Sequence, residues 1–167
     1  MDDDLTYLKA EERWTHLIGR FMLDFASIED CIHRVILMYL KETLVTDQQL
    51  SDTFKNRLDL FHQVLVKRFS DGLDKDELNK AIKKIHDLYL TRNLIAHNSL
   101  SYTFGEDKNG DFQFLGFEIT AKKKSALSTN YEQLESKVEC LKECRTLIAN
   151  FMMKFHEAEL ESLINKE

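Results

Sequence analysis

From Trp14 onward, apolar side chains recur alternately every four and every three residues, at Trp14, Ile18, Phe21, Phe25, Ile28, Ile32, Val35 and Tyr39. This spacing follows the 3.6-residue turn of an α-helix and draws one apolar stripe along it. It predicts a long helix that packs along its length against antiparallel neighbours, with Ser27-x-x-Asp30 as a point where a helix can restart after a kink. Thr46 to Ser51 is polar and reads as a turn. A second helix then carries Phe54, Leu58, Phe61 and Leu65, and stops near Ser70-Asp71-Gly72, where glycine suits a helix C-terminus. Asp74 or Asp76 opens a third, with Leu78, Ala81, Ile82, Ile85, Leu88, Tyr89, Ile95 and Ala96 on one stripe and Arg92 in its middle.

After His97 the period changes. Leu100 to Phe104 and Asp111 to Thr120 alternate and are rich in aromatic residues, and Gly105 to Gly110 between them contains Asn109-Gly110. The pattern predicts two strands around an Asn-Gly turn, a β-hairpin insert over about residues 101–121. A last helix begins near Ser128 and bears Leu134, Val138, Leu141, Cys144, Ile148, Phe151 and Phe155. The expected fold is all-α, a four- to five-helix antiparallel bundle with the hairpin before the last helix. No repeat or linker divides the 167 residues, so a single domain over 1–167 is expected.

Composition agrees with long helices, because the chain has no proline and only five glycines. Cys31, Cys140 and Cys144 are an odd number of thiols without an apolar leader, which suits reduced cysteines in the cytoplasm. The longest wholly apolar run, Val35 to Leu40, is far too short for a bilayer, so no membrane partner is expected. The formal charge of −6 does not advertise a nucleic-acid binder. Lys67-Arg68, Lys83-Lys84 and Lys122-Lys123-Lys124 read as solvated faces or loops. Cys140 and Cys144 lie one helical turn apart, but no neighbouring His or Cys completes a metal set, and neither a metal nor another cofactor is expected. No phosphate-cradling glycine loop or nucleophile elbow is present.

The chemistry concentrates in Thr91-Arg92-Asn93-Leu94-Ile95-Ala96-His97-Asn98. A guanidinium on an apolar stripe needs either a carboxylate, for which Glu29 is a candidate, or a cleft that takes positive charge. His97 is either a reactive imidazole or a helix C-terminal histidine that answers the dipole and the last carbonyls. His86, Leu90, Asn93, Leu94 and His97 share a second, partly apolar face, which suits a second neighbour such as another copy of the chain. His86 itself reads as an interface or surface residue.

Arg-Asn-Leu-Ile-Ala-His resembles the Arg-x4-6-His motif of the HEPN superfamily, whose members are helical bundles with this motif late in a helix. Phe25-Ala26-Ser27-Ile28-Glu29-Asp30-Cys31-Ile32 is similar to the first-helix pattern in several of its families, in which an acidic or polar residue points toward the Arg-His site. The resemblance implies a metal-independent endoribonuclease acting as a homodimer, with Arg92 and His97 of both protomers at the interface. It casts His97 as general base or acid, Arg92 as phosphate clamp, and Asn93 and Glu29 as supporting residues. The implied products are a 2′,3′-cyclic phosphate and a 5′-hydroxyl. DNA lacks the attacking 2′-hydroxyl and is not expected as a substrate. Such proteins serve as toxins, paired with an antitoxin protein, or as RNA-cleaving defence effectors. Ser99 stands where toxins silenced by a partner nucleotidyltransferase carry tyrosine, so that form of control is not implied. Two other readings remain open at this level: a HEPN-like dimer that binds RNA, nucleotide or a protein partner without turnover, and a plain helical interaction domain.

Overall fold

The computed structural model describes residues 2–40, 53–68, 75–106, 108–110, 112–121 and 128–164. In chain order these form α1 (Asp2–Leu40), α2 (Phe54–Arg68), α3 (Lys75–His97), β1 (Leu100–Glu106), β2 (Phe112–Thr120), β3 (Ser128–Thr129) and α4 (Tyr131–Ile164). The protein is therefore mainly helical, with a small antiparallel sheet in the order β1-β2-β3. The turns read at Thr46 to Ser51 and Ser70 to Gly72, the Asp74 start and the Lys122 to Lys124 run lie outside the described residues, as do the side chains of Tyr39 and Phe155.

The chain divides into two compact units. The first joins Met1–Leu23 to Asp87–Cys140, and the second joins Asp24–His86 to Leu141–Glu167. Each takes a segment of α1, α3 and α4.

In the second unit the stripes carry the interior. Phe25, Ile28, Ile32, Val35 and Ile36 of α1 are buried, as are Phe54, Leu58, Phe61, Val64 and Leu65 of α2. Leu78, Ala81 and Ile85 of α3 and Leu141, Cys144, Ile148 and Phe151 of α4 complete it. The rings of Phe25 and Phe54 lie 5.1 Å apart in a tilted contact, a geometry in which aromatic pairs attract. Helix α1 runs without a break through Ser27 and Asp30, so no restart occurs there. Its apolar period never falters, and the stripe keeps a single register. The start of α2 is fixed by Thr53, whose Oγ1 accepts from the Asn56 N–H at 3.4 Å and whose carbonyl accepts from the Arg57 N–H at 3.1 Å.

The first unit adds the sheet. Leu100 pairs with Ile119, Tyr102 with Phe117 and Phe104 with Phe114, so one face of the β1-β2 pair is an apolar ladder. The register slips between Thr103 and Phe104, which leaves Leu115 as the extra residue of a bulge beside Gly116. Gly116 holds φ at 151°, a region that side chains with a Cβ rarely adopt. The Thr103 hydroxyl donates to the Gly116 carbonyl at 3.0 Å and pins the bulge. Residues 107–111 connect the two strands, and Gly110 within them takes φ of 83°, which a turn needs and glycine permits. Ser128 and Thr129 form a short third strand paired with Thr120 and Ile119, so the last helix starts at Tyr131. That start is a reciprocal cap: Asn130 Oδ1 accepts from the Gln133 N–H at 2.9 Å, and Gln133 Oε1 accepts from the Asn130 N–H at 3.1 Å.

Candidate functional site

Arg92, Asn93 and His97 all lie on the last two turns of α3, within the first unit. The buried stripe of α3 runs Leu78, Ala81, Ile85, Leu88 and Thr91. Arg92 thus sits at the edge of that stripe, half-buried, rather than in its middle, while Ile95 is half-buried and Ala96 exposed. The physical reason is a three-residue step from Leu88 to Thr91, which turns the buried line one position ahead of Arg92. The guanidinium does not have to be desolvated, and its fork remains available at the helix edge.

Arg92 Nη1 donates to Asn93 Oδ1 at 3.3 Å. Among the described residues this is its side-chain partner, and no carboxylate is paired with it. Glu29 belongs to the second unit, where its charge is met by Arg57 Nη2 at 3.9 Å. That distance is an ion pair without a hydrogen bond, and Arg57 Nε is buried with no acceptor among the described residues. The constellation brought together on one element is therefore Arg92, Asn93 and His97, and Glu29 has a separate partner.

His97 closes the helix and is exposed. It does not cap the last carbonyls: Asn98 Nδ2 donates to the Leu94 carbonyl at 2.8 Å and occupies that role. Among the described residues the imidazole has no hydrogen bond or ion pair. One turn before it Leu94 is half-buried, and two turns before it on the same face Leu90 is 54% exposed, so the second face of α3 carries an apolar side chain open to solvent.

The residue types of this set suit phosphate binding and proton transfer. Guanidinium is always charged and grips phosphate oxygens bidentately. Imidazole is the side chain best suited to move a proton near neutral pH. Asn93, already bonded to Arg92, restricts the guanidinium's rotamers and leaves an amide N–H₂ for substrate.

Two of the three thiols, Cys31 and Cys144, are poorly suited as nucleophiles. Cys144 is buried among apolar side chains of α4. Burial, and then the charge of Asp30, push the Cys31 thiol above its ordinary range. Among the described residues no group of three His, Cys, Asp or Glu side chains is placed to hold a metal ion, and no helix is long and apolar enough to cross a membrane.

A second feature of the first unit was not foreseen from the sequence. A cleft of about 500 Å³ opens between the start of α1, the bulge of β2 and the start of α4. Lys9 and Arg13 line it from one face of α1 and Glu118 from β2, and the paired rings of Trp14 and Tyr131 line it as well. No protein-family model, curated protein or solved structure matches the chain.

Proposed function

We propose that the protein is a HEPN-type, metal-independent endoribonuclease whose helices assemble as an antiparallel bundle and whose active site is completed at a homodimer interface. The observation that carries this reading is the end of α3. A half-buried arginine without a carboxylate partner stands five residues from an exposed histidine, and the helix terminus that this histidine would otherwise cap is already closed by Asn98. Five residues of helix rise about 7.5 Å and turn about 140°, which aims the two side chains apart on one helix and leaves a second protomer to complete the site.

In the proposed reaction the 2′-hydroxyl attacks the adjacent phosphorus, and its proton passes to an imidazole. The 5′-oxygen leaves with a proton delivered by the second imidazole of the dimer. Arg92 neutralises the charge that builds on the phosphoryl oxygens. The products are a 2′,3′-cyclic phosphate and a 5′-hydroxyl, and DNA is left intact. Leu90 and Leu94 form the apolar part of the dimer contact around the two histidines. The biological setting that fits such an activity is a toxin neutralised by an antitoxin protein, or an RNA-cleaving defence effector. A HEPN-like dimer that binds RNA, nucleotide or a protein partner without turnover is the second reading, and the net charge of −6 favours its protein-binding form, since a surface that gathers RNA is usually basic.

Purified wild type, Arg92→Ala and His97→Ala incubated with labelled single-stranded RNA in EDTA separate the two. Cleavage by wild type alone, with cyclic-phosphate ends, supports the enzyme. RNA left intact by a folded, dimeric wild type removes it, and equal cleavage by the variants places the activity elsewhere.

A further inference from the structure

We infer that the cleft between α1, β2 and α4 is a binding site for a small zwitterion with a flat aromatic body, of the size and charge pattern of an aromatic amino acid. Its volume of about 500 Å³ lies in the range of small-molecule sites. Its charges are sorted by element. Lys9 and Arg13, one turn apart on α1, supply two cations, whereas Glu118 on β2 supplies a carboxylate. Among the described residues none of the three is ion-paired or hydrogen-bonded through its side chain, although opposite charges share one cleft. Glu132 also lines the cleft, but it sits in the first turn of α4, where the positive end of the helix dipole already accounts for an acid.

A ligand that carries a carboxylate and an ammonium completes both sides at once. The carboxylate meets the Lys9 and Arg13 pair, and the ammonium meets Glu118. A purely anionic ligand leaves Glu118 facing negative charge, and a purely cationic one leaves Lys9 and Arg13 facing positive charge. The body of the ligand is specified by the wall behind the charges. Trp14 and Tyr131 stand edge to face with ring centres 5.6 Å apart, and Leu115, thrown outward by the bulge, is 60% exposed at the cleft. A planar aromatic ring against Tyr131 and beneath Leu115 buries both of those surfaces.

Isothermal titration of the full chain with tryptophan, tryptamine, indole-3-propionate and adenosine monophosphate tests this. Tryptamine lacks the carboxylate, and indole-3-propionate lacks the ammonium. Tryptophan is expected to bind at least about tenfold more tightly than either truncated ligand, a difference of about 1.4 kcal/mol. Arg13→Gln should shrink the advantage over tryptamine, and Glu118→Gln should remove the advantage over indole-3-propionate, with melting temperatures measured alongside because Arg13 is exposed and Glu118 half-buried. No heat with millimolar tryptophan overturns the proposal. So does tighter binding of adenosine monophosphate than of tryptophan, which makes the cleft a nucleotide site. The inference is independent of the ribonuclease reading, since every readout is binding and none is RNA cleavage.

Discussion

The two compact units differ in where they leave charges open. In the second, acids and bases find each other: Arg145 Nη1 lies 2.6 Å from Asp24 Oδ1, Lys84 Nζ lies 3.0 Å from Glu143 Oε2, and Arg34 Nε lies 2.7 Å from Asp30 Oδ2. In the first, Arg20, Asp87 and Glu139 are likewise engaged, but Lys9, Arg13, Arg92, His97 and Glu118 stand without an ion-pair partner among the described residues. Exposed ion pairs contribute little stability, so the contrast says little about which unit is firmer. It says where a ligand has something to complete. Charges satisfied within the fold have no further use for a partner, and charges left open at a helix end and around a cleft do. Helix α3 carries both conditions, from the buried Leu78 to Leu88 stripe to the open Arg92 and His97 at its end.

The largest effect expected from breaking this contrast is on activity. Under the proposed ribonuclease reading, His97→Ala should lower RNA cleavage by about 10²- to 10⁴-fold, the usual contribution of a positioned acid or base. Its unfolding free energy should stay within about 0.5 kcal/mol of wild type, because the imidazole is exposed and makes no hydrogen bond or ion pair among the described residues. Cleavage assays beside urea titrations check both numbers. A loss of stability above that margin would return His97 to the fold rather than the site.

Phe61 of the second unit is the opposite case. It is fully buried on α2, and Phe61→Ala should cost about 3–5 kcal/mol through lost burial and the cavity left behind. Urea unfolding followed by circular dichroism measures this. A cost near 1 kcal/mol would mean that the unit is loosely packed and that the contrast between its closed interior and the open end of α3 is overstated. Gly116 should have an intermediate effect. A Cβ there meets nothing within 4 Å, so the penalty of Gly116→Ala is in the backbone alone, about 1–3 kcal/mol. An unchanged midpoint in the same titration would show that the bulge relaxes, and that Leu115 is not held at the cleft by it.

Legibility in the sequence followed the length scale of each feature. The stripes through Phe21, Phe61, Leu78 and Leu141 could be read because a helix repeats its signal every turn. The two-residue β3 could not, since Ser128-Thr129 is too short to show a period and is paired by Ile119 and Thr120. The motif at Arg92 to His97 was legible as a local string, but its place on the helix was misread by one position, with Ala96 counted in and Thr91 left out. The partner of Glu29 depends on Arg57, a residue from another helix, and local spacing carries no information about it. The two caps were readable and missed: Asn98 just past a helix and Asn130-x-x-Gln133 before one are both standard signals. The cleft was out of reach, because its walls come from four elements spread from Lys9 to Glu132.

The smallest effect, and the one that sharpens the contrast most finely, concerns a cation of the first unit that is closed in rather than open. Lys137 lies on α4 between the buried Leu134 and Val138, and desolvation pulls its pKa below the ordinary 10.5. The folded state therefore gives up this proton at a lower pH than the unfolded chain does. Between the two pKa values the unfolded state binds more protons, so stability rises as pH climbs through that window. Below the window both states are charged and the fold carries the whole penalty. Lys137→Met keeps the stem's packing and removes the charge, so it should be slightly more stable than wild type at pH 7, with the gap closing as pH approaches 10.5. Paired thermal melts across that range check the sign. A Lys137→Met variant less stable than wild type at pH 7 would show that this ammonium has a partner of its own, and that Lys137 belongs with the satisfied charges of the second unit.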